Sequence, residues 1–227
     1  MRQRYFGELT ETICDNLRFC TRKVRTIVQS IQKMRLSITQ QAPDIQTKNV
    51  LGDQIHLVNY RGKKVYITFL RNASCPLCSL HLYKLTKIVD NLRAKGLELI
   101  VFYESLNEVI LQSPFFNEHI LRDNKFCVIS DNKREYYQSY GAELRPERAT
   151  AEVFKEAGLL ETYNEALRLG ITGDGREAGT NGATMPADFL IDEQGTIRYV
   201  KYGENVGDHI DLKLIEPTFR TLSVVLV

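Results

Sequence analysis

The sequence predicts an α/β fold: a mixed central sheet containing parallel strands and covered by helices, with a helical extension before it and a helical, glycine-rich insertion within it. Three observations carry this. From residue 54 onward, apolar runs of strand length alternate with helical patterns, and that alternation calls for parallel strands under crossover helices. The first 36 residues keep a helical stripe of their own. The alternation lapses over residues 142–184 and then resumes.

In the arm, apolar residues fall at Leu9, Ile13, Leu17, Cys20, Val24, Ile27, Ile31 and Met34. Steps of three and four mark one amphipathic helix with near-heptad spacing. Arg18, Arg22, Lys23, Arg25, Lys33 and Arg35 occupy its other faces. Residues 1–41 therefore form a basic extension that packs on its own domain, forms a homodimer with a second copy, or docks on an anionic partner; a membrane surface is disfavoured. Ala42-Pro43-Asp44 ends the helix, because Pro disfavours helical geometry in the residue before it. Strands at 54–60 and 65–70 flank a turn at Gly62-Lys63-Lys64. A helix over 76–95 sets Leu77, Leu80, Leu85, Ile88 and Leu92 on one side and stops at Gly96. A buried strand at 97–103, a short helix at 106–112, a strand at 126–129 and a short helix at 133–140 follow. Residues 145–169 read as helix. Residues 170–182 hold five of the fourteen glycines; without the Gly-Lys-Ser/Thr ending of a phosphate loop, they read as a mobile loop. A hairpin pairs 188–192 with 196–202 across Glu193-Gln194-Gly195, a last helix lies near 209–219, and 221–227 form a tail.

Composition removes several classes of function. The chain has 227 residues, 43% hydrophobic and 26% charged, enough to bury a core without disulfides or structural metal. Five cysteines are too few and too scattered for a stapled secreted scaffold. A net charge of +2 opposes dedicated nucleic-acid binding. That charge is a cancellation: residues 1–36 hold eight Lys and Arg against three Asp and Glu, so a +5 arm precedes a −3 body. No apolar run approaches the roughly 18–20 residues that span a bilayer. Met1-Arg2-Gln3-Arg4-Tyr5-Phe6 runs into Glu8, Glu11 and Asp15, where a signal peptide would be apolar. The expected setting is a reducing cytoplasm, where cysteines are free, metal-bound or redox-active.

The sharpest chemical feature is Cys75-Pro76-Leu77-Cys78, directly after the 65–70 strand and opening a helix. Pro fits the first helical position, whose N–H has no partner in any case. Cys75 then sits at the positive end of the helix, where free N–H groups favour a thiolate. Cys78, one turn on, is placed to resolve a mixed disulfide formed at Cys75. A zinc site and two inert thiols are the competing readings. Zinc wants four ligands, and His81 would supply only a third. Strand, CxxC and helix in that order favour redox chemistry.

A second motif, Met185-Pro186-Ala187-Asp188-Phe189-Leu190-Ile191-Asp192, leads into Gly195-Thr196-Ile197. Together the two motifs resemble thioredoxin-fold proteins, in particular the peroxiredoxin-like redoxins of the alkyl hydroperoxide reductase/thiol-specific antioxidant (AhpC/TSA) family. Ala42-Pro43-Asp44, Leu51-Gly52-Asp53 and the stretch from Tyr202 to His209 add to the similarity, the last resembling the Asn-x-x-Asp-His segment of the CxxC-bearing branch. The resemblance covers roughly 42–220, a redoxin domain carrying the 142–184 insertion. It implies a three-layer thioredoxin-like fold with no cofactor and Cys75 and Cys78 catalytic. It also implies a cis Pro186 facing them, with the Met185 backbone free to pair with substrate. The implied partners are a thiol reductant, such as a thioredoxin or glutathione system, and a disulfide or hydroperoxide substrate. Where classical peroxiredoxins carry Pro, Thr and Arg around the peroxide, this chain has Thr68, Asn72 and Pro186. Where thioredoxin has a buried Asp and a Trp, it has Phe69 and Ser74.

Arg71, Asn72 and His81 are the candidates for tuning the thiolate, although His81 also fits a partly exposed helix position. Asp188 or Asp192 could accept a proton, or simply be solvated at the hairpin ends. Cys127 reads as a core thiol, and Cys14 and Cys20 lie too far apart around one helix to pair. His56, His119 and His209 show no metal or triad spacing. The expected function is therefore disulfide exchange or hydroperoxide reduction by the CxxC pair in an antioxidant role. The alternative is a non-catalytic redox-sensing module docked through its basic arm.

Overall fold

The structure, a computed structural model, describes residues 35–173, 177 and 180–223. The expected basic helix, with Cys14 and Cys20, and the last four residues of the tail lie outside them.

Strand β3 (Lys64–Phe69) is the centre of the molecule. β4 (Leu97–Tyr103) pairs with it in parallel, and β5 (Cys127–Ser130) pairs in parallel with β4. On the other side β6 (Ala187–Ile191) and β7 (Ile197–Tyr202) add antiparallel, giving the order β5-β4-β3-β6-β7. A separate two-stranded ribbon joins β1 (Gln46–Lys48) to β2 (Gln54–His56). The expected strand at 54–60 ends early, because Leu57–Tyr60 turns into a 3₁₀ segment that buries Leu57.

Period-two alternation divides the sheet side chains between two cores. Val65, Ile67, Phe69, Ile100, Phe102, Phe189 and Ile191 face one way, with Tyr137 and Tyr140 beneath them. Tyr66, Leu70, Leu99, Val101, Tyr103 and Leu190 face the other, against helix α1 (Pro76–Thr86). The helix expected over 76–95 is two helices, α1 and α2 (Val89–Ala94). β-Branched Thr86, Ile88 and Val89 weaken helix at the join, and the Thr86 hydroxyl turns back to the Tyr83 carbonyl at 2.7 Å. Further helices are α3 (Asn107–Gln112), α4 (Glu135–Ser139), α5 (Ala151–Glu156), α6 (Leu159–Arg168) and α7 (Leu212–Ser223).

Residues 36–41, counted with the arm by their sequence, join the body: Thr39 N–H donates to Ile197 O and Ile197 N–H to Gln40 O, each at 2.8 Å. The stretch expected to be an insertion packs α6 on α1, where Lys84 meets Glu165 at 2.7 Å. Within its glycine stretch, expected to be mobile, Gly173 lies against the Ser74 backbone. A Cβ on Gly173 would lie 2.4 Å from the Ser74 carbonyl oxygen, and the φ of +80° there suits glycine. Among the described residues no helix is long and apolar enough to cross a membrane.

Candidate active site

The loop Arg71-Asn72-Ala73-Ser74 carries the chain from β3 into α1 and delivers Cys75 to the N-cap, with Pro76 in the first turn. The Cys75 sulfur accepts the Cys78 N–H at 3.3 Å, a helix-terminal donor that would otherwise lack a partner. The Cys78 sulfur accepts the Arg71 N–H at 3.5 Å. Both thiols are free, and they are 1% and 0% exposed.

Burial alone would push both thiols up. At Cys75 it is outweighed by the Cys78 thiol hydrogen bond, the Arg71 charge and the N–H groups of Cys78 and Leu77, and the net pKa falls to about 6. Cys78 goes the other way, well above its ordinary value, because burial is joined by the hydrogen bond to Cys75 and the charge there. One thiol is thus favoured as the thiolate and the other holds its proton.

Beside Cys75 opens a cleft of about 340 Å³. Arg71, Cys75 and Leu77 form one side, and Phe154, Leu160 and Tyr163 of the insertion form the other. A second cavity, of about 190 Å³ near His56 and Arg61, contains none of these residues.

The other candidates from the sequence fall in different places. Asn72 contacts the loop and the insertion, with its amide donating to Thr180 Oγ1 at 2.9 Å and its Oδ1 accepting from Ser74 at 2.8 Å. His81 is buried rather than partly exposed. Its ring stacks on His209 at 4.3 Å, and its Nε2 lies 3.3 Å from the Tyr66 hydroxyl. Met185 shares the apolar cluster of the two cysteines but is only 2% exposed. Its N–H is already given to Glu143 O at 3.0 Å, so the backbone expected to be free for substrate is engaged. All described peptide bonds are trans, including that before Pro186. The cis geometry implied by the resemblance is therefore absent, and Pro186 instead accepts the Gly203 N–H at 2.8 Å.

Sequence reasoning missed a buried polar chain behind α1. Asp188, expected to be solvated if not a proton acceptor, is fully buried. It accepts from Tyr66 Oη at 2.7 Å and from Ile210 N at 2.9 Å. Burial raises its pKa to about 6 against those donors and Lys201. Burial, His209 and Lys84 hold His81 well below the usual histidine range; burial, Arg71 and Lys201 bring His209 down to about 3. Also missed was buried Glu104, which accepts from Arg134 Nη1 at 2.7 Å and from Asn181 N at 2.8 Å and so fastens the end of the insertion above the Arg71 loop. Strand alternation would have sent Tyr66 to the helix face, but nothing in the sequence pairs it with Asp188, 122 residues away.

A mixed sheet with parallel β3 and β4, a crossover helix between them and a dithiol at the start of that helix define a thioredoxin-fold, peroxiredoxin-like redoxin. A family model described as the AhpC/TSA family matches residues 38–200, and the chain belongs to that family. The fold is similar to that of a thiol peroxidase from Chromobacterium violaceum, with a TM-score of 0.55 and 16% identity over 83% of this chain and 89% of that one. No curated protein matches the chain.

Proposed function

We propose that this redoxin is a dithiol peroxidase. The Cys75 thiolate attacks the terminal oxygen of a hydroperoxide, forming an S–O bond as the O–O bond breaks and an alcohol or water leaves. Cys78 then attacks the Cys75 sulfur, water departs, and an external dithiol reduces the resulting disulfide. The observation that carries this reading is the depressed Cys75 thiol beside Arg71, both lining one cleft. Arg71 stands where it can favour both the thiolate and the charge that develops on the leaving oxygen. The chemistry suits a reducing cytoplasm.

Disulfide exchange without peroxide turnover is the second reading. It is favoured by Asn72 and Pro186, which leave the site without the family's usual Thr and Arg. Coupled peroxide consumption with a thioredoxin system decides between them. Steady turnover that Cys75→Ser abolishes supports the peroxidase; no turnover alongside reduction of insulin disulfides overturns it.

A further inference from the structure

The cleft beside Cys75 has room for much more than a peroxide group. At about 340 Å³ it lies at the lower end of the range that encloses small organic molecules. A water molecule takes up about 30 Å³, and hydrogen peroxide is only one oxygen larger. The lining is also divided in character. Arg71 is the one charged side chain among the described residues that line the cleft, and it stands on the same side as Cys75. Its Nε is buried with no hydrogen-bond partner among the described residues, a donor left over for a polar group. Leu77, Ala149, Phe154, Leu160, Tyr163 and Val206 make most of the rest an apolar wall.

Two short helices build the far side of that wall. The Thr150 hydroxyl caps α5 by accepting the Val153 N–H at 3.3 Å, and Gly158, in the left-handed region at φ +67°, turns the chain into α6. Leu160 and Tyr163, three residues apart, share one face of α6. Phe154 comes from α5, its ring edge-on to Tyr163 with 6.3 Å between centroids. Phe154 and Tyr163 pack against the cluster that contains Cys75, whereas Leu160 is 57% exposed. Apolar surface left in water beside a reactive thiol is removed from it when an apolar molecule covers the wall.

We propose that Phe154, Leu160 and Tyr163 determine specificity: they hold the apolar body of a bulky organic hydroperoxide whose peroxide group lies between Arg71 and Cys75, so that it is reduced in preference to hydrogen peroxide. The inference rests on the peroxidase reading. The terminal OH of the hydroperoxide passes to the Cys75 sulfur as the O–O bond breaks, and the alkoxide that leaves takes up a proton and departs as an apolar alcohol. Hydrogen peroxide undergoes the same step but has no body for the wall to hold.

The test follows oxidation of reduced full-length protein at pH 7 by cumene hydroperoxide and by hydrogen peroxide, with acid quench and peptide mass analysis of Cys75. Each rate constant is divided by that of N-acetylcysteine with the same peroxide, which removes the intrinsic difference between the two oxidants. The corrected preference for cumene hydroperoxide should be at least about tenfold, since even one methylene in an apolar pocket is worth roughly that much. Phe154→Ala should lower the preference roughly tenfold. Leu160→Gln, at an exposed position that folding tolerates, should lower it severalfold and carries the test if Phe154→Ala is unstable. A corrected preference of one, or a preference that survives both substitutions, overturns the proposal while leaving the peroxidase reading in place. Oxidation of Cys75 by neither peroxide overturns both, so the two failures are distinguishable; reduction of insulin disulfides slowed by Leu160→Gln would then assign the wall to a polypeptide side chain instead.

Discussion

Cys75 and Cys127 lie on opposite faces of one sheet and hold the same side chain at about 6 and about 12. Depth does not explain the difference, since Cys75 is the more buried of the two. At Cys127 burial and the charge of Asp53 push the thiol up, with only the Tyr60 hydroxyl opposing them. At Cys75 a helix terminus, a neighbouring thiol and Arg71 supply donors and positive charge. The faces differ in the same way as a whole. On the Cys127 side Phe69 stacks on Phe102 at 4.6 Å, and Tyr137 and Tyr140 place their hydroxyls on carbonyls. On the Cys75 side both buried ring nitrogens of His209 are without hydrogen-bond partners. One face is paired throughout its aromatic contacts, and the other carries the dithiol with buried polar atoms beside it.

The largest effect expected from breaking this division is on the aromatic face. Phe69 touches Phe102, Tyr137, Tyr140 and Phe189, so Phe69→Ala should cost about 3–5 kcal/mol. Thermal unfolding should show a drop of roughly 6–20 °C. The pH midpoint of Cys75 alkylation should stay near 6, and a shift of that midpoint would show that the faces are not independent.

Timed labelling of wild-type protein with iodoacetamide at pH 7, mapped by peptide mass, compares the two thiols directly. The thiolate fractions differ by about five orders of magnitude, and the greater nucleophilicity of the more basic thiolate returns two to three of them. Cys75 should therefore label roughly a hundredfold faster than Cys127, despite its deeper burial. Equal rates would refute the assignment of reactivity to the helix terminus.

Arg71→Met removes the cation while keeping much of the volume. Cys75 should titrate about one unit higher, lowering its thiolate fraction roughly twofold at pH 7 and nearly tenfold at pH 5. If the alkylation profile is unmoved, the helix terminus and Cys78 alone set the pKa.

Most of this division could be read along the chain, where it depends on neighbours in sequence. The 65–70 and 97–103 strands, the hairpin and the strand-CxxC-helix order are local patterns, and each lies within a residue or two of its predicted place. The polar chain behind α1 was not legible, because Tyr66, His81, Asp188 and His209 meet only after β6 inserts beside β3. Glycine was ambiguous in a physical sense: Gly173 reads as freedom in a sequence, yet here it permits close approach to the Ser74 carbonyl. The break after Thr86 was missed because a continuous apolar stripe conceals a run of β-branched residues.

The smallest effect concerns the stacked histidines and is read as a slope. His209 is neutral in the fold, with a pKa of about 3 against about 6.5 unfolded. Its contribution to stability is full above pH 6.5 and declines as pH falls toward 3. His81 behaves in the same direction. Asp188 opposes them: its folded pKa of about 6 favours the protonated form, so its contribution is full below about 4 and lost as pH rises through 6. Between about pH 4 and 6 the unfolded chain carries two protons on these three groups and the folded chain carries one. From them stability should rise with pH by about 1.4 kcal/mol per unit. His209→Phe keeps a stacking ring but removes one unfolded-state proton, which equalises the count. Urea midpoints at pH 4.5, 5.0, 5.5 and 6.0 should accordingly show a slope lower than wild type by about that amount. An unchanged slope would mean that His209 is protonated within the fold, and the neutral stack would then have to be abandoned.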